Sequence, residues 1–201
     1  MIQLLLAVIY LAFISLGLPD SLLGAAWPSI YPELNVPVSY AGAISMTIAA
    51  GTIVSSLMSE RLTRRFGTGL VTAVSVAMTA AALLGFSISG SFAMLIVFAI
   101  PYGIGAGSVD ASLNNYVALH YASRHMSWLH CMWGVGASVG PLIMSAALTA
   151  GRGWQSGYRA ISYIQLGLTL ILLISLPLWK RPQSAQEDGA ARALSLREIV
   201  R

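Results

Sequence analysis

Residues 17–23 read Gly-Leu-Pro-Asp-Ser-Leu-Leu, and residues 107–113 read Gly-Ser-Val-Asp-Ala-Ser-Leu. Both are G-x-x-D-x-x-L, and Asp110 follows Asp20 by 90 residues. Each lies in a long apolar stretch, so a carboxylate recurs at the same place in two hydrophobic segments. The segments next in line also match. Met46, Ile53, Met58 and Ser59 lie over Met132, Val139, Met144 and Ser145, at an offset of 86. Between them the small residues Ala50, Gly51 and Thr52 lie over Gly136, Ala137 and Ser138. A four-residue difference in the intervening loop explains the change of offset. Self-similarity at a fixed period marks a repeat architecture.

The whole chain fits that reading. It has 201 residues, 57% of them hydrophobic and only 9% charged. An average soluble domain carries about 25% charge. Mean hydropathy is +0.76. A disordered chain is excluded, and a soluble globule of this size would lack the charge to cover its surface. The composition predicts an integral membrane protein. Six segments are long enough to cross about 30 Å of hydrocarbon as helices: residues 2–27, ending at Pro28, then 40–58, 69–86, 92–119, 127–148 and 158–179. They are continuously apolar, whereas barrel strands alternate. The predicted class is all-α, a six-helix transmembrane bundle over 1–181 with a polar tail over 182–201. Within the tail, 183–189 reads as a solvated linker. Residues 194–201 read either as an amphipathic helix or as a frayed end. Three spans followed by three similar spans make a 3+3 repeat. An odd number of spans per unit places the second unit inverted in the membrane, the arrangement found in secondary transporters.

Basic residues orient the bundle. Arg61, Arg64 and Arg65 follow span two, Arg124 follows span four, and Lys180, Arg181, Arg192, Arg197 and Arg201 follow span six. Only Arg152 and Arg159 lie on the other side. The positive-inside rule puts the first group, and with it both termini, in the cytoplasm. The first 19 residues lack a basic n-region, so no cleavable signal is expected. The basic residues form no stripe, and nucleic acid is not an expected partner. Cys131, the one cysteine, has no intrachain disulfide partner.

Asp20 and Asp110 are the carboxylates well inside the spans. A charge there is expensive, and by default it marks a site. Asn114 is four residues beyond Asp110 and shares its face, with Asn115 about 100° round. The functional reading is proton exchange plus hydrogen bonds to a polar solute. The plainer reading is a buried Asp bonded to a neighbouring helix. His130 sits early in span five with Trp133 one turn on, an aromatic face suited to stacking on a ring. His130 also reads as an interface histidine, and His120 and His125 as solvated loop residues. The histidines lack the i, i+4 spacing of a helical zinc pair, so no metal or other cofactor is expected. Gly136-Ala-Ser-Val-Gly140 matches G-x-S-x-G, but that elbow needs a strand-turn-helix and a partner base, so no enzyme is expected.

Together these residues resemble the major facilitator superfamily, specifically its amino-terminal half, and within it the fucose-permease-like sugar branch. The resemblance covers residues 3–181. It rests on Leu16-Gly-Leu-Pro-Asp-Ser-Leu-Leu-Gly-Ala-Ala-Trp-Pro28, on residues 103–116 and on Leu129-His-Cys-Met-Trp-Gly-Val-Gly-Ala-Ser-Val-Gly-Pro141. It implies proton coupling and solute contact at Asp20 and Asp110, with Asn114, His130 and Trp133 beside them. The loop after span two resembles the family's D-R-x-G-R motif as Arg64-Arg65-Phe-Gly67, with Glu60 and Arg61 just before. Arg64 stands at the acidic position, and Glu60 is the available substitute. The resemblance also implies twelve spans in a complete transporter, with the cavity between two halves. The chain is then expected to be a truncated half, a split-gene half with a separate partner, or a half that pairs with itself as a parallel homodimer. The expected function is half of a proton-coupled transporter for a small polar, sugar-like solute in a bacterial inner membrane. The alternatives are a structural membrane module or a fragment inactive alone.

Overall fold

The computed structural model describes residues 2–179, so the expected linker and tail helix lie outside the described residues. Seven α-helices and a final 3-10 turn follow in order. They are α1 (Ile2–Asp20), α2 (Leu22–Glu33), α3 (Tyr40–Phe66), α4 (Thr68–Ser87), α5 (Phe92–His120), α6 (Arg124–Thr149) and α7 (Gly153–Ser175), with the turn at Leu176–Trp179. Six stretches are long and apolar enough to cross a membrane, and α1 and α2 together form the first of them, Gln3–Glu33. The first span was expected to end at Pro28. It runs on through Pro28 and Pro32 to Glu33, and the two prolines leave the carbonyls of Gly24 and Pro28 without a helical donor. At its end Glu33 accepts from Trp154 Nε1 at 2.7 Å and from Gln155 Nε2 at 2.8 Å. This ties the end of span one to the start of α7.

The helices pack in pairs. α1 lies along α6, α3 along α5, and α4 against α5 and α7. Exchange each span with the one three later, and the α1–α6 pair becomes the α5–α3 pair while α4–α7 maps onto itself. The 3+3 repeat predicts that scheme. Glycines set the close approach in both pairs. A Cβ on Gly17 would collide with the Trp133 carbonyl, and one on Gly136 or Gly140 with the carbonyls of Ile14 or Leu18. Across the other pair, Gly107 meets Thr52 and Gly103 meets Ile48. Gly17 and Gly107 are the first residues of the two G-x-x-D-x-x-L copies. In an apolar solvent, such contacts between small residues are a main source of helix association.

Two prolines leave gaps that neighbours fill. A proline has no N–H, so the carbonyl four residues earlier loses its helical donor. Pro19 frees Ser15 O, and Gln165 Nε2 of α7 donates to it at 2.6 Å. Ser15 Oγ donates in return to Gln165 Oε1 at 3.0 Å. Pro141 frees Ala137 O, and Ser21 Oγ, at the break between α1 and α2, donates to it at 2.7 Å. The apolar core divides into two clusters. One gathers Ile9, Phe13, Leu113 and Leu129, and the other Leu22, Ile30, Leu95 and Trp154. Ser15, Thr79, Tyr102 and Gln165 line a cavity of ≈ 10 Å³ with residues of both clusters around it. That is about the space of one water.

Candidate functional site

The site forms where α1, α5 and α6 meet beside this polar layer. Pro19 ends the regular run of α1 and leaves Asp20 at the break, exposed on the bundle surface. Its carboxylate is held from two helices. Tyr102 of α5 donates its hydroxyl to Oδ1 at 3.1 Å, and Trp133 of α6 donates Nε1–H to Oδ2 at 2.7 Å. Gly17 allows this contact, because it lets the backbone of α6 at Trp133 come down onto α1.

Asp110 is eight residues beyond Tyr102 on α5, which is about 12 Å along the helix axis. The two carboxylates are therefore staggered along the bundle rather than level. Asp110 is half-buried and accepts from Asn114 Nδ2 at 2.9 Å, the one-turn pairing that the spacing predicts. Asn114 Oδ1 is buried and has no hydrogen-bond partner among the described residues. His130, one turn before Trp133 on α6, lies within electrostatic range of Asp110. Its ring meets Phe13 edge-on with centroids 6.1 Å apart. Asp110 in turn lies within electrostatic range of Asp20. α6 thus faces one carboxylate with an imidazole and the other with an indole. Asn115 is exposed on α5.

Five of the six residues expected at the site, Asp20, Asp110, Asn114, His130 and Trp133, are therefore gathered by direct bonds or electrostatic proximity. The residues of the loop after span two are not part of it. Glu60 pairs with Arg64 at 3.7 Å across one turn at the end of α3, both largely exposed. Such a pair contributes about 0.2–1 kcal/mol. Gly67 closes α3 with φ +83, and Arg65 lies 5.3 Å from the Phe66 ring. Arg61 is exposed on the same turn. Tyr102 and Gln165 are site residues that sequence reading passed over. A tyrosine in an apolar span needs a partner for its hydroxyl, and Gln165 is the one glutamine in span six. Those were the signals available. His120 and His125 are also less solvated than expected. His125 Nδ1 pairs with the Tyr10 hydroxyl at 2.7 Å, and His120 stacks on Tyr116.

Comparison with known proteins agrees with this architecture. The family model described as Major Facilitator Superfamily matches residues 9–200. The chain is 24% identical over 165 residues to the 4-hydroxybenzoate transporter PcaK of Acinetobacter baylyi, covering 80% of this chain and 36% of that protein. It is 25% identical over 169 residues to the protein of that name from Pseudomonas putida, covering 80% and 37%. It is 27% identical over 192 residues to an Acurin A biosynthesis cluster MFS-type transporter of Aspergillus aculeatus, covering 87% and 33%. The chain spans about a third of the length of these relatives.

Proposed function

The chain belongs to the Major Facilitator Superfamily, a multi-pass membrane transporter family, and from that premise we propose that it forms one half of a proton-coupled transporter for a small, uncharged polar solute. The fucose-permease-like, sugar-carrying branch is the finer assignment we favour. The second half is a further six-helix unit, in a continuation of the same protein, in a separate chain or in a second copy, set parallel in a bacterial inner membrane with both ends of this chain on the cytoplasmic side. The single observation behind the reading is the polar chemistry shared by α1, α5 and α6. Two staggered carboxylates lie there, one bonded to an amide and near an imidazole, the other held by a phenol and an indole. The lysines and arginines all lie within two helical turns of a described helix end, in a loop or in the tail.

In that setting hydroxyl groups find acceptors at Asp20 and Asp110 and a donor at Asn115, while Asn114, its amide turned to Asp110 and its Oδ1 buried, acts through that carboxyl group. The Trp133 ring offers a flat apolar surface to a sugar face. Loading follows when the two halves rock open to one side, and release when they open to the other. Solute and proton then cross together because Asp110 changes protonation between the two states.

A second reading comes from the relatives, two of which are named for an aromatic acid. An anionic solute would need its cation from the second half, since this face supplies carboxylates. Uptake into vesicles from cells expressing the protein, under an imposed pH gradient, separates the readings. Radiolabelled neutral monosaccharides and 4-hydroxybenzoate serve as the two probes. Monosaccharide uptake is expected, and Asp110→Asn should abolish its pH dependence while membrane insertion stays intact. Uptake of the acid alone, or unchanged proton-driven uptake in the variant, overturns the proposal.

A further inference from the structure

We propose that Asp110 and Asn114 form an acid–amide pair that holds the transported proton, and that Asp20 remains an ionised clasp between helices. The proposal rests on the transport reading above and deepens it. It is carried by the inventory of donors and acceptors around the two carboxyl groups.

Asp20 accepts at both oxygens, from the Tyr102 hydroxyl and from the Trp133 indole N–H. An indole N–H is a donor only. Hydrogen bonds given to both oxygens favour the ionised form, and a proton on either oxygen would have to take its remaining lone pair. Two donors on two oxygens fit a carboxylate.

Asp110 has the complementary surroundings. Asn114 Nδ2 donates to its Oδ1, while Asn114 Oδ1 lies buried without a partner among the described residues. A buried carbonyl that accepts nothing is costly and calls for an explanation. The missing donor is the O–H of Asp110 itself. With a proton on Oδ2, the acid donates to Asn114 Oδ1 while Nδ2 still donates to Oδ1. Acid and amide then close a cyclic pair with every polar atom used. The proton arrives from water in the opened cavity and returns to water on the other side. Only O–H bonds form and break, and no electrons move. The titratable groups facing Asp110 are His130 of α6 and Asp20 of α1. α4 carries none, and on α3 Glu60 and Arg61 follow Ser59, which bonds Ser112 near the height of Asp110, but both are exposed. Asn114 is thus a positioning residue for the proton, beyond its role as a neighbour on the same face.

Infrared difference spectroscopy on the purified protein in lipid, titrated with pH, reads the C=O stretch of a protonated carboxylic acid directly. A band from the spans is expected to vanish in Asp110→Asn and to survive in Asp20→Asn. In Asn114→Leu it should move to higher frequency, as an acid that has lost its partner. Should that variant fail to insert, Asn114→Ser, whose hydroxyl can still accept, should give a smaller shift. A band that survives Asp110→Asn, disappears with Asp20→Asn, or stays unmoved in the Asn114 variants overturns the pair. The measurement needs neither solute nor gradient. If uptake proves indifferent to pH while the band behaves as stated, the transport reading fails and the pair stands. If uptake is proton-driven and the band belongs to Asp20, the pair fails and the transport reading stands.

Discussion

At the scale of single residues, the bundle is held by side chains that answer for a neighbour's missing backbone donor. Gln165 is 1% exposed and makes both of its described side-chain bonds to Ser15. Gln165→Leu keeps the approximate volume and removes the donor to a carbonyl that no helix N–H can reach. Hydrogen bonds between membrane helices average about 0.6 kcal/mol and reach about 1.7. The stranded carbonyl adds to that, so a loss of about 1–2 kcal/mol is expected. A lower melting temperature in detergent would register it, and an unchanged melt would show that the bond contributes nothing. This pairing was not legible from sequence. Pro19 announced that Ser15 O would be free, but which of the other spans supplied the donor depended on packing across 150 residues of chain. The Asp110–Asn114 bond was legible, because both ends sit one turn apart on one helix. Tyr102 was missed as the partner of Asp20 because that contact joins two helices whose relative height no spacing rule provides.

At the scale of elements, two helix pairs do the same job at equivalent places in the repeat. Gly17 lets α1 meet α6, and Gly107 lets α5 meet α3. A bulky side chain on either face forces the backbones apart, and overpacking of this kind costs about 1–3 kcal/mol. Gly136→Leu and Gly107→Leu are expected to lower detergent stability by comparable amounts. Gly167→Leu, where nothing lies within 4 Å of the added carbon, is the control and should leave it nearly unchanged. Equal effects of all three would mean that the glycines are incidental. The six spans were legible here, since continuous apolar runs of that length have few other fates. The break at Ser21 and the continuation through Pro28 were not. A proline signals a lost bond, and it does not say whether the helix stops or restarts.

At the scale of the whole molecule, charge asymmetry makes a prediction about direction. Cys131 is the sole cysteine, so Cys131→Ala gives a clean background for labelling. In that background Ala122→Cys, in the loop before α6, should react with a membrane-impermeant thiol reagent only from the cytoplasmic side. Val38→Cys, before α3, should react only from the other side. The reverse pattern would invert the topology and move the basic loops outside. The repeat itself was legible because its two copies carry the same expensive residue, and matching apolar residues alone would have been weak evidence. The proline gap in the first span also has a consequence in time. Ribosomes add about 5–20 residues per second. Gln165 follows Ser15 by 150 residues, so it is made roughly 8–30 s later. For that interval span one sits in lipid with an unmet carbonyl, where unsatisfied backbone groups are poorly tolerated. The earliest-made of these six spans is therefore among the last to be completed, and its final bond closes only once span six has arrived.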